Sequence, residues 1–213
     1  MLPHESKQRR LDTIALVATI SIFVIALTAA LRLGPQLRRI PHAGLIFEFI
    51  AAGVAPLSAI LLFRPTWFSD YIKKKSVITD VLVGFVCSIP FLAAHYYLVG
   101  TLVKWPIISA VFISPSLVSV LLALTYVFVY GPLEVTYVIY LAETSKTVTG
   151  TRIFFYLTPI VFWVLPHALT GSNAVTAILS TSLDLAVILI LYQQRRSLWS
   201  PFVFWSLVNF CGW

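Results

Sequence analysis

Long, uninterrupted runs of apolar side chains constrain this chain more than any other feature. Seven runs can be drawn, with ends defined to about four residues. They occupy residues 11–33, 43–63, 81–103, 113–142, 152–170, 173–193 and 199–213. A helix that crosses the hydrocarbon core of a bilayer needs about 20 such residues. The sequence therefore predicts an all-α, polytopic bundle of about seven transmembrane helices.

The overall composition excludes a soluble globular domain. Hydrophobic residues make up 59% of the chain and charged residues only 11%, against about 25% charged in ordinary globular domains. The apolar runs are continuous rather than alternating, which also argues against an outer-membrane barrel. The first run is longer than the apolar region of a cleaved signal peptide, so it predicts a first span.

Neither the charge nor the cysteines indicate a nucleic-acid partner or a cofactor. The net charge of +7 comes from short basic clusters between apolar runs, a pattern typical of cytoplasmic loops that face anionic lipid. Cys87 and Cys211 lie in apolar stretches without the close spacing of a metal site. We expect no disulfide framework, no bound metal and no cofactor.

The distribution of lysine and arginine predicts the orientation of the bundle. With seven spans, one side carries Lys7, Arg9, Arg10, Arg64, Lys73, Lys74, Lys75, Lys146, Arg152, Arg195 and Arg196. The other side carries Arg32, Arg38, Arg39 and Lys104. The side richer in positive charge faces the cytoplasm, so we expect a cytoplasmic N-terminus and an external C-terminus in a cell membrane or endomembrane.

The fourth run is too long for a simple span and contains helix-disturbing residues. Pro115 lies near its start, and Gly131-Pro132 lies inside it. Proline removes a backbone donor and crowds the preceding turn. The sequence predicts a kink or a break there.

Polar side chains inside the runs mark where chemistry could occur, because burying a charge in hydrocarbon is costly. These residues are Glu48, His95, Glu134, His167, Asp184 and Asn209. At a helical rise of 1.5 Å per residue, the last four lie in one layer about 12–20 Å from the cytoplasmic edge. Glu48 lies close to the outer edge, where we expect it to snorkel or to pair with the Arg38-Arg39 loop.

A glutamate and a histidine in one buried layer suit general acid–base work on a water molecule. The carboxylate accepts a proton from water, and an imidazole or an amide stabilises an oxyanion. The alternative is that Glu134, His167 and Asp184 only hold helices together through polar contacts. A metal site would need His95 in the same layer, and we do not predict one.

Three sequence stretches occur in an order that resembles the CPBP family of membrane proteases, which includes CAAX proteases and bacteriocin-processing proteins and is also called the Abi family. The stretches are Gly131–Val135, Val161–Leu169, and Tyr192–Pro201 followed by Trp205 and Asn209. The family has Glu-Glu-x-x-x-Arg, Phe-x-x-x-His and His-x-x-x-Asn motifs, with a Ser-Leu-Trp-Ala-Pro turn. The resemblance covers residues 113–213, which predicts N-terminal transmembrane helices over 1–112 and a CPBP-like catalytic core over 113–213.

The resemblance implies an intramembrane glutamic endopeptidase. Glu134 takes the place of the first motif glutamate and would be the general base. His167 takes the place of the motif histidine and would be its electrostatic or proton-transfer partner. Asn209 would donate to the oxyanion. The implied substrates are membrane-associated peptides, either prenylated CAAX-type C-termini or leader peptides.

The chain also departs from the family pattern. Val135 replaces the second glutamate, Ile139 stands at the arginine position, and Trp163 replaces the phenylalanine. Trp205 stands where a histidine is expected. Its indole N–H can donate a hydrogen bond but cannot shuttle protons.

These departures leave two alternatives open. One is a catalytically inactive protein with the same fold that acts as a membrane interaction partner. The other is a membrane-embedded cyclase or transporter that uses Glu134 and Asp184 as isolated acids. A transporter usually has duplicated halves, and the sequence contains no convincing internal repeat.

Overall fold

In the computed structural model, the described residues are 3–37, 49–72, 76–99, 117–170 and 173–212. Within these ranges all regular structure is helical and no β-strand occurs, which confirms the all-α prediction. The α-helices are α1 (Pro3–Leu37), α2 (Ala55–Phe63), α3 (Trp67–Ile72), α4 (Val77–Val99), α5 (Leu117–Thr125), α6 (Gly131–Thr149), α7 (Phe154–Pro159), α8 (Leu165–Thr170), α9 (Ala174–Arg195) and α10 (Trp199–Gly212).

Three described helices are long and apolar enough to cross a membrane. They are Lys7–Leu33 in α1, Val77–Ala94 in α4 and Ala174–Arg195 in α9. A shorter apolar helix covers Phe154–Leu169. These helices support a membrane protein by length and composition.

In the described part of the chain, three π-helical turns lie within the helical runs, and each ends two residues before a proline. They are Phe49–Val54 before Pro56, Tyr126–Tyr130 before Pro132, and Ile160–Val164 before Pro166. A proline cannot donate to the carbonyl four residues earlier, and its ring clashes with that carbonyl. A π turn relieves this conflict by widening the backbone. The second turn interrupts the helix directly before Gly131-Pro132, where the sequence predicted a kink or a break; Pro115 lies outside the described residues.

The chain forms two compact units. The first contains the described residues of 1–70 and 136–174, and the second contains those of 71–135 and 175–213. The boundary expected between residues 112 and 113 lies outside the described residues. The division into N-terminal transmembrane helices over 1–112 and a CPBP-like core over 113–213 stays a prediction.

Polar contacts connect α1 to two other segments at one end of the first unit. Asp12 of α1 forms an ion pair with Arg64, which follows α2. The Arg9 side chain donates a hydrogen bond of 2.8 Å to the carbonyl of Val148 near the end of α6. These contacts bring Arg9, Arg64 and the end of α6 to the same end of the unit.

The second unit packs α10 closely against two other helices. A Cβ atom on Gly84 of α4 would lie 2.3 Å from the carbonyl oxygen of Ser200. A Cβ atom on Gly131 would lie 2.7 Å from Ser206 Oγ and 3.0 Å from Ser206 Cα. Small residues allow helix backbones to approach in this way. Gly84 and Gly131 therefore determine how closely α10 approaches its neighbours.

An ion pair fixes one end of the second unit. Arg195, the last residue of α9, donates through Nε to Asp80 Oδ1 at 2.7 Å. Asp80 is fully buried, whereas the Arg195 side chain is partly exposed. Trp199 Nε1 donates to the carbonyl of Ile72 at 3.4 Å. The turn between α9 and α10 is thus tied to the start of α4 and the end of α3.

Candidate functional site

Glu134 lies in the first turn of α6, directly after the π turn and Pro132. Its side chain is only 3% exposed. Both carboxylate oxygens accept hydrogen bonds: Tyr130 Oη donates to Oε1 at 3.1 Å, and Trp205 Nε1 donates to Oε2 at 2.6 Å. Tyr130 and Glu134 are four residues apart and therefore share one face of the helix. The carboxylate is consequently fixed in orientation by two neutral donors.

Trp205 reaches Glu134 because of how α10 packs. Ser206, the next residue, lies against Gly131, and the missing Cβ atom of Gly131 lets the two backbones approach. Glu134 lies about one turn beyond Gly131 on the same helix. The indole, which is 1% exposed, is thereby placed beside the carboxylate. A buried acceptor that loses its donor costs about 1–3 kcal/mol.

Two further polar side chains lie in the second unit with Glu134. Asp184 is 4% exposed on the buried face of α9. Asn209 is 2% exposed on α10, one turn after Trp205. Asp184 Oδ1 and Asn209 Nδ2 are buried and make no hydrogen bond with the described residues. An acceptor and a donor of this kind are costly to bury without partners.

His167 belongs to the first unit, on α8 after the third π turn. Its Nδ1 lies 2.6 Å from the carbonyl oxygen of Trp163, and its ring packs edge-on against the Trp163 ring with centroids 5.3 Å apart. A carbonyl oxygen only accepts, so Nδ1 carries the proton in this contact. In the neutral imidazole the accepting nitrogen is then Nε2. The motif pair Trp163 and His167 thus forms a local unit that fixes the ring and its tautomer.

The π turn before His167 has a specific partner on α6. Tyr137 Oη donates to the carbonyl of Phe162 at 3.4 Å. This carbonyl lies four residues before Pro166, which cannot donate to it. Tyr137 therefore supplies a donor at the position where α-helical hydrogen bonding fails, and this contact connects α6 to the helix that carries His167 within the first unit.

The predicted site residues are divided between the two compact units. Glu134 and Asn209 are both buried in the second unit, as expected for polar residues inside the apolar runs. His167 is half-buried in the first unit. The close approach of Glu134 and His167 stays a prediction.

Several other predicted positions fall outside the described part of the structure. Glu48 and the Arg38-Arg39 loop lie outside the described residues. His95 lies on α4, where the side chain is outside the described part. Among the described residues, no group of three or more His, Cys, Asp or Glu side chains is arranged to hold a metal ion.

Sequence reasoning missed Tyr130 as a partner of Glu134. The available signal was its position four residues before Glu134 in a helical run, where a hydroxyl can reach the carboxylate. Sequence reasoning also missed the packing of Gly131 against Ser206, because Gly131-Pro132 indicates by itself only a kink or a break in the helix. Its contact with Ser206 depends on two segments that are far apart in sequence.

No protein-family profile, curated protein or solved structure matches the chain. The resemblance to the CPBP family therefore depends on the quoted motif residues alone.

Proposed function

We propose that this protein is a divergent, CPBP-like intramembrane glutamic endopeptidase. It would have about seven spans and a cytoplasmic N-terminus. The observation that carries the proposal is the environment of Glu134: a buried carboxylate, oriented by Trp205 and Tyr130, in the same compact unit as Asn209 and Asp184. A buried ionisable group that is held in a fixed orientation is a candidate for a catalytic role.

The proposed reaction begins at Glu134. Its carboxylate, oriented by Trp205 and Tyr130, would accept a proton from a water molecule, whose oxygen attacks the carbonyl carbon of the peptide bond. The Asn209 amide donates to the oxyanion that forms. The His167 imidazole stabilises this charge or transfers a proton to the departing amine.

In this proposal Trp205 is a positioning residue. It occupies the place of a motif histidine but donates to the base instead of moving protons. Its hydrogen bond fixes the direction of the Glu134 carboxylate. Orientation of this kind reduces the entropy lost on reaching the reactive arrangement.

The proposed test uses Glu134→Gln in purified protein reconstituted into lipid vesicles. Glutamine keeps the shape of the side chain, accepts from Trp205 through its carbonyl oxygen and can donate to Tyr130 Oη, so the fold is preserved. The substrates are a prenylated CAAX-type peptide and a leader peptide, each as a membrane-bound reporter. We expect hydrolysis to fall by about 10²–10⁴-fold, the usual contribution of a general base. Hydrolysis that is equal in both proteins would contradict the proposal.

A second candidate is a catalytically inactive membrane interaction protein with the same fold. The observation in its favour is the short contact between Trp205 and Glu134, which gives Glu134 a structural role without catalysis. This candidate predicts that Glu134→Gln supports the cellular phenotype as well as the wild type does at matched expression. The peptidase predicts loss of the phenotype with the same variant.

A further inference from the structure

One end of the first unit carries a concentration of basic side chains. Arg64 pairs with Asp12 of α1, and Arg9 donates to the carbonyl of Val148 at 2.8 Å. These contacts place the N-terminal part of α1, the residue after α2 and the end of α6 beside one another. We call the described cations at this end the basic rim, which consists of Lys7, Arg9, Arg10, Arg64, Lys146 and Arg152.

The turn after α6 brings Arg152 to the basic rim. The Gly150 N–H donates to the carbonyl of Lys146 at 2.9 Å, and the φ of 73° at Gly150 ends the helix. Arg152 follows Val148 by four residues, so the chain keeps their Cα atoms within about 14 Å of each other. Because Arg9 contacts Val148, the start of α1 and the residue before α7 lie at the same end of the unit.

The acids of this end do not cancel the positive charge of the basic rim. Asp12 is buried and paired, and Glu143 is half-buried with its carboxylate 3.9 Å from a rim ammonium group. Glu5 and Asp70 lie in helices of the same unit, and their side chains are outside the described part. Six basic residues are therefore opposed by four acids even when every acid is counted as ionised.

Arg10 is exposed and stands at the head of an apolar stripe on α1. Ile14 and Val17 follow it by four and seven residues, which places them on the same helix face, and both are exposed. This face belongs to Lys7–Leu33, a helix long and apolar enough to cross a membrane. An exposed apolar face of such a helix suits acyl chains, and a cation at its end suits an anionic headgroup.

Arg152 stands at the head of a second stripe. It is exposed and comes just before the apolar helix Phe154–Leu169. Ile153, Leu157 and Val161 are exposed and recur at intervals of four residues. A cation next to an exposed apolar face matches both parts of a phospholipid, whereas a free anion would use the cation alone.

We propose that the basic rim binds anionic phospholipids of the surrounding bilayer, with the phosphate group at Arg10 and Arg152 and the acyl chains along the stripes that follow them. Positive charge near an anionic lipid surface supplies the attraction. The inference does not depend on the peptidase function, since it uses only the charge and the apolar faces of the first unit. Arg32 gives a matched comparison, because it is exposed on α1 22 residues beyond Arg10, or about 33 Å along the helix.

The first experiment titrates the purified full chain in detergent micelles with dioleoyl phosphatidylglycerol and, separately, with dioleoyl phosphatidylcholine. A ligand that binds only the folded protein raises the midpoint of thermal unfolding, and the concentration dependence gives an apparent Kd. We expect a lower Kd for phosphatidylglycerol than for phosphatidylcholine. Added salt should weaken the binding of phosphatidylglycerol alone, because it screens exposed charges.

The second experiment removes the two cations with the double substitution Arg10→Gln and Arg152→Gln. One basic residue near an anionic surface contributes about fivefold in affinity, so the Kd for phosphatidylglycerol should rise by about 25-fold. The Kd for phosphatidylcholine should stay unchanged. Arg32→Gln should leave both values unchanged. The double substitution Arg10→Lys and Arg152→Lys keeps the charge and should keep most of the affinity.

The possible results support or overturn the proposal. Equal Kd values for the two lipids, salt-insensitive binding of phosphatidylglycerol by the wild type, or an unchanged Kd in the double glutamine variant overturns it. A loss in Arg32→Gln as large as in that variant also overturns it. Inorganic phosphate that protects the wild type as well as phosphatidylglycerol does would show a free-anion site and overturn the lipid assignment. If the glutamine variant does not fold, the two measurements on the wild type decide the question without any substitution.

Discussion

Trp205 Nε1 donates a hydrogen bond of 2.6 Å to Glu134 Oε2, and both side chains are buried. The bond joins α10 to α6 across 71 residues of sequence. It places a neutral donor at a position where the family resemblance predicts a proton-transferring histidine. The indole of Trp205 thus orients the Glu134 carboxylate.

Removal of the indole donor should destabilise the protein. Trp205→Phe keeps an aromatic ring but removes the indole donor from Glu134 Oε2, so we expect the free energy of unfolding to fall by about 1–3 kcal/mol. Unfolding in mixed detergent micelles would measure the change. Tyr130→Phe is the matched control and should cost less, since its bond to Oε1 is longer at 3.1 Å. Equal losses of unfolding free energy in the two variants would contradict a larger stabilisation by the shorter hydrogen bond.

Gly131→Ala should weaken the packing that places Trp205. The new methyl group would lie 2.7 Å from Ser206 Oγ and 3.0 Å from Ser206 Cα. Such overpacking costs about 1–3 kcal/mol. Ser206→Ala in the same chain removes the nearest atom and should recover part of the loss, which a double-mutant cycle measures. Strictly additive effects of the two substitutions would contradict a direct contact.

The expected proximity of Glu134 and His167 can be measured with engineered cysteines. We expect their side chains to lie about 3–6 Å apart, within reach of one water molecule. Glu134→Cys with His167→Cys should therefore be joined by a short bifunctional thiol reagent when Cys87 and Cys211 are replaced by serine. Leu169→Cys replaces His167→Cys in the control, because Leu169 is 63% exposed. Linkage that is no greater than in this control would rule out the shared catalytic site.

The orientation of the bundle follows from the distribution of basic residues. Reporter fusions after Lys74 and after Gly171 should lie on the cytoplasmic and the external side, respectively. Both positions lie outside the described residues. Localisation of the two reporters on the same side would show that the seven-span arrangement is wrong.

Most of the helical architecture could be predicted from local patterns. Apolar runs of the required length correspond to α1, α4 and α9, the three helices able to span a membrane. The irregularity before Pro132 was also predictable, because a proline disturbs its own helix regardless of the surrounding fold. The burial of Glu134, Asp184 and Asn209 agrees with their positions inside apolar runs.

The sequence by itself determined the class of the protein and the candidate polar residues, because hydrophobicity, helical rise and the missing N–H of proline act over a few neighbouring residues. The partners of those residues were decided only in the tertiary structure. Trp205 meets Glu134 because Gly131 lets the backbone of α10 approach at Ser206. Asp184 Oδ1 is buried on α9 without a hydrogen-bond donor among the described residues. These relationships depend on the register between helices, which is determined by side-chain shape across the interface and leaves no periodic signal in either segment.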